Sequence, residues 1–141
     1  MAKIHLIKLS VGSESVATKA AWQAEHMAKT GQELRHVTRM WPKREKELLQ
    51  GGSIYWVIKG NVLARQKIIR LDEVIGADGI RRCGIILAPE LMQTVPQPRR
   101  PFQGWRYLAV EDAPRDTTIF APGADELPVE MQADLASLGV L

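Results

Sequence analysis

The chain has 141 residues, 45% of them hydrophobic and 25% charged, with 19 Lys and Arg against 16 Asp and Glu. These are the proportions of one ordinary globular domain with a single core. No apolar run reaches transmembrane length, and the start Met-Ala-Lys-Ile-His lacks the continuous apolar segment expected of a secretory signal. A membrane protein is therefore not expected, and the expected compartment is the cytoplasm.

The small net charge of +3 hides an asymmetry. Residues 1–110 hold 18 Lys and Arg against 9 acids, whereas residues 111–141 hold one Arg against seven acids. A basic body with an acidic C-terminal extension is expected, as a single domain over residues 1–141.

Residues 3–9 alternate well enough for a first strand. Ser13 or Ser15 then caps a helix over residues 15–29, with Val16, Ala17, Ala20, Ala21, Ala24, Met27 and Ala28 at helical spacing and Gly31 as its stop. The alanines predict close packing on a sheet. Residues 34–41 read as a strand with Arg35 and Arg39 on one side, and Pro42 opens a short helical turn.

The central stretch runs from Ser53 to Glu73, where Gly60-Asn61 reads as a two-residue turn between apolar runs. Such a turn sets Trp56 opposite Arg65 as a cation–π candidate and Tyr55 opposite Gln66, with apolar residues on both faces. Residues 81–88 form a further strand, in which Gly84 marks a bulge or a close backbone approach. Residues 93–103, with Pro96, Pro98 and Pro101, predict a semi-rigid loop carrying Arg99 and Arg100. Residues 104–110 close the sheet, residues 117–120 can add a short strand, and Pro128 opens a terminal helix. The fold class is α+β, a small and mainly antiparallel β-barrel with flanking helices.

The segments Met40-Trp41-Pro42-Lys43-Arg44, Gly52 to Gly60, Arg65-Gln66 and Arg99 to Leu108 resemble, over nearly the full length, a family of alphaproteobacterial proteins known only as a domain of unknown function. That resemblance implies no activity. The order of elements is more loosely similar to the PUA and ASCH superfamily, which implies a small barrel that binds RNA or senses nucleotides.

Catalytic and metal signatures are missing from the sequence. There is no Gly-x-Ser-x-Gly elbow, no phosphate loop and no dinucleotide fingerprint, and His5, His26, His36 and the lone Cys83 have no metal-ligand spacing. No cofactor and no metal is expected, and Cys83 is expected to pack as a small hydrophobe. Four tryptophans interleaved with Lys and Arg are what a nucleic acid or nucleotide needs for stacking and charge. The expected binding residues are Lys43, Lys59, Arg65, Arg99, Arg100 and Trp105, with RNA or a nucleotide as the ligand. A protein-interaction or assembly role, or a small enzyme of unrecognised class, is the alternative.

Overall fold

A computed structural model describes residues 3–121. The helix expected from Pro128 lies outside them. In chain order the elements are β1 (Ile4–Leu9), α1 (Val16–Thr30), β2 (Leu34–Thr38), α2 (Glu45–Leu48), β3 (Ser53–Ile58), β4 (Asn61–Ile75), β5 (Arg81–Leu87), β6 (Met92–Pro98), β7 (Trp105–Ala109) and β8 (Asp116–Ile119). The strands run in the order β2-β5-β4-β3-β1-β7, with β6 on β4 and β8 on β6. All pairs are antiparallel except β1 with β3.

The expected closed barrel is corrected to an open sheet. Among the described residues β2 and β7 do not pair, and the path ends at each of them. Both are short, at five residues, while the 15-residue β4 pairs β3 and β6 along its first half and β5 along its second.

The β3–β4 turn corrects the predicted register. Ile58 pairs with Asn61, so the turn residues are Lys59-Gly60, both left-handed at φ 50° and 82°. Two successive positive φ values match the right-handed twist of the strands. A bulge then offsets the ladder, Val57 facing Val62 but Trp56 facing Ala64. Beyond that offset each β4 side chain points to the face opposite the expected one. Gln66 enters the main core, and Arg65 goes to the other face beside Tyr55.

Two hydrophobic layers result, which is why all six residues of β3 are buried. The larger one, under α1 and α2, holds Ile4, Leu6, Val16, Leu48, Ile54, Trp56, Ile58, Leu63, Ile68, Ile85 and Leu87. The smaller one holds Ile7, Tyr55, Val57, Val62, Phe102 and Leu108. Cys83 is fully buried in the larger layer. Gly84 does allow a close approach, since a Cβ there would meet the Arg35 and Val74 side chains at 2.9 Å.

Two further expectations change. Helix α1 meets the sheet through Val16, Ala20, Gln23 and Met27, while Ala21, Ala24 and Ala28 are exposed. The expected alanine stripe is displaced because Gln23 finds a buried partner. Residues 92–98 form β6 rather than a loop: the ladder shifts between Val62 and Ala64, and the extra β6 residues accommodate Pro96, which has no N–H to donate.

That partner of Gln23 is Gln66. The two amides bond reciprocally at 3.0 and 2.9 Å, Gln66 Oε1 also accepts from Trp56 Nε1 at 2.9 Å, and Gln66 Nε2 donates to the Ala88 carbonyl at 3.1 Å. Gln66→Leu leaves several buried groups without partners and is expected to cost about 3 kcal/mol in urea unfolding. The Gln23→Leu/Gln66→Leu pair should cost less than the sum of the single changes, and strict additivity would refute the coupling. At the turn, Lys59→Asn supplies the residue pair that favours left-handed geometry and should stabilise by about 0.5–1 kcal/mol in the same assay.

Candidate functional site

The six expected binding residues separate in space. Arg65 forms a two-pronged ion pair with Asp116 at 2.8 and 2.7 Å and donates to Ser53 Oγ at 2.9 Å. Its charge is already neutralised. Lys59 is exposed in the β3–β4 turn, and the Arg99 N–H donates to the Gly60 carbonyl at 2.8 Å, so Lys59, Arg99 and Arg100 do meet at one end of the sheet. Arg99 and Arg106 lie 5.5 and 4.8 Å from the centroid of the buried Phe102 ring.

Trp105 is half-buried: its Nε1–H donates to the Met40 carbonyl at 3.0 Å, and its ring meets Tyr107 edge-on at 5.0 Å. Tyr107 OH in turn accepts from the Arg44 N–H at 3.1 Å. Trp105 thus anchors the 40–44 loop, on which Lys43 is exposed.

A different set of residues encloses space. Strand β1 ends in Ser10-Val11-Gly12-Ser13-Glu14-Ser15, a loop tied to β3 by the Ser10 N–H donating to the Val57 carbonyl at 2.9 Å. Gly12 turns it at φ 81°, and Ser15 caps α1 by accepting from the Thr18 N–H at 3.0 Å. The cap sets the helix phase so that Lys19 faces the sheet and Trp22 stands at the rim. A cavity of about 340 Å³ opens there, lined by residues 10–13 of this loop with Lys8, Thr18, Lys19, Trp22, His36 and Trp56. It sits at the carboxyl end of the parallel β1/β3 pair, the end at which open sheets with parallel strands hold ligands.

Lys19 Nζ lies 3.6 Å from the Trp56 ring centroid and donates to Ser10 Oγ at 2.8 Å, and Ser10 Oγ is 2.7 Å from Ser13 Oγ. Trp56 is 3% exposed, and its cation partner is Lys19 rather than the expected Arg65. Burial and the neighbouring Lys8 lower Lys19 to about 8. Burial, Lys8 and Lys19 lower His36 to about 4, so it is neutral at pH 7. Its ring is edge-on to Trp56 at 5.7 Å, and its buried Nε2 has no hydrogen-bond partner among the described residues. Trp22 is 61% exposed and stacks on His26 at 5.0 Å.

Among the described residues no Asp or Glu lines this cavity. Sequence reasoning missed it because Lys8, Lys19 and His36 stand on three separate elements. The run of serines around Gly12 was the one available signal. Among the described residues no three His, Cys, Asp or Glu side chains gather as a metal site, and no helix is long and apolar enough to cross a membrane.

The chain belongs to the family described as a protein of unknown function, DUF1489, whose model matches residues 6–141. No curated protein and no solved structure matches it.

Because Lys19 titrates below its ordinary 10.5, its charge at neutral pH costs stability, and stability should rise as pH climbs from about 8 toward 10.5. Lys19→Met is therefore expected to raise the unfolding free energy at pH 7 by on the order of 1 kcal/mol and to abolish that alkaline rise. An unchanged pH profile in the variant would show that Lys19 is an ordinary surface lysine.

Proposed function

Since membership of DUF1489 assigns no activity, we propose from the geometry that the protein binds a mononucleotide, or an equivalent phosphate-bearing aromatic ligand, in the cavity between α1 and the carboxyl end of β1. The observation that carries this is two lysines sharing one cavity with no acid among the described residues that line it. Like charges in a partly desolvated space repel, and a bound anion removes that cost. The Ser10 and Ser13 hydroxyls add donors, and the exposed Trp22 offers a stacking surface to a base.

A volume of about 340 Å³ is near the lower end for ligand sites and suits one nucleotide rather than a strand. The Lys59, Arg99 and Arg100 group stands at the same end of the sheet and attracts polyanions through its field. The likeness to PUA and ASCH barrels carries no weight here, because it rests on element order and the sheet is open. A protein-interaction role has one observation in its favour: Ile69, Ile75 and Ile80 are 45%, 62% and 42% exposed along β4 and the turn that follows it.

Calorimetric titration with AMP, UMP and inorganic phosphate tests nucleotide binding. Affinity should hold between about pH 6.5 and 7.5 and weaken toward tenfold per pH unit above 8, as Lys19 loses the proton that the anion requires. His36 stays neutral over that range and Lys8 is the other charge facing Lys19. Lys8→Ala should weaken binding by about tenfold or more. Absence of heat with all three ligands at low salt would refute the proposal.

A further inference from the structure

We propose that the same cavity contains an acyl-transfer centre, in which Ser13 is the nucleophile and Ser10 and Lys19 form the proton path that activates it, so that the protein hydrolyses an ester or amide. The proposal shares the cavity with nucleotide binding but does not require that ligand.

The geometry is a continuous chain of three groups. Lys19 Nζ is 2.8 Å from Ser10 Oγ, and Ser10 Oγ is 2.7 Å from Ser13 Oγ. Both serines line the cavity, but Ser10 is 8% exposed and engaged on both sides, whereas Ser13 is half-buried and bonded through its hydroxyl to Ser10 alone among the described residues. Only Ser13 is therefore open to a substrate. A serine hydroxyl is a poor nucleophile unless a base takes its proton, and a lysine serves as that base when it is neutral. Burial beside Lys8 puts Lys19 at about 8, leaving on the order of a tenth of molecules with a neutral amine at pH 7.

With Lys19 neutral, the 2.8 Å contact reverses and Ser10 donates to Nζ. Ser13 Oγ attacks the acyl carbon, its proton passes to Ser10 Oγ, and the Ser10 proton passes to Lys19. The tetrahedral adduct then breaks the bond to the alcohol or amine, which leaves with a proton returned along the same path. Water cleaves the Ser13 ester and restores the free serine, so the net change is ester or amide plus water giving acid plus alcohol or amine. His36 also lines the cavity. Lys8 from β1 and His36 from β2 are the titratable groups that face Lys19.

The probe is diisopropyl fluorophosphate, whose phosphorus bonds to an activated serine with loss of fluoride. Intact mass and peptide mapping of the full chain should show one adduct, on Ser13, forming at a rate that rises with pH to a plateau above about 8. Ser13→Ala should abolish the adduct, and Ser10→Ala, Lys19→Met and Lys19→Arg should slow it by about 100-fold or more. Ser53→Ala, on the opposite face, should react as the parent does, with circular dichroism reporting the fold of each variant. Lys19→Arg keeps the positive charge yet cannot accept a proton, so it should lose reactivity while remaining folded. No adduct on the folded parent, an adduct at another residue, a flat pH profile, or Lys19→Arg reacting at the parent rate would each overturn the proposal. Reaction at Ser13 without AMP binding would leave it standing and end the nucleotide assignment alone.

Discussion

The Gln66 side chain holds the architecture in register. Burying a primary amide costs several kcal/mol unless its oxygen and both N–H groups are satisfied. Here they are met by Gln23 on α1, Trp56 on β3 and the carbonyl of Ala88 after β5. One residue thereby fixes the helix on the sheet, the rotamer of the central tryptophan and the exit of β5. A slip of β4 by one position would send this amide to the other face and strand all three partners, so the network specifies the bulged register as well as stabilising it.

Locking Trp56 has a consequence for charge. Its ring is presented to the cavity at a fixed angle, and Lys19 rests on it at 3.6 Å instead of reaching water. Elsewhere six acids pair with five arginines: Glu47 with Arg44, Asp116 with Arg65, Glu33 and Asp72 with Arg70, Glu73 with Arg81 and Asp78 with Arg82. Such mostly exposed pairs are each worth little in stability. They neutralise those five arginines, whereas Lys8 and Lys19 have no acid among the described residues that line their cavity.

The uses of this cavity draw on one physical circumstance. A lysine that is partly desolvated and faces a second lysine has an unstable charge, and that instability is resolved either by an incoming anion or by loss of the proton. The first makes a binding site and the second makes a base. Ser10 and Ser13 serve either outcome, as donors to an anion or as the path to a nucleophile.

Local chemistry alone determined much of the fold. The Ser15 cap and Gly31 stop of α1, the β3–β4 hairpin, and the burial of Trp56 and Cys83 all follow from residues within a few positions of one another, or from their apolarity. Tertiary structure decided what depends on distant partners. The bulge that turned Arg65 outward to Asp116 and Gln66 inward to Gln23 joins residues 51 and 43 positions apart, and the proline-bearing β6 exists because β4 and β8 flank it. The dispersal of the expected binding residues has the same cause. A side chain's charge is visible in the sequence, but whether an acid sits beside it is settled only by packing, which paired Arg65 and left Lys8 and Lys19 facing each other across a cavity.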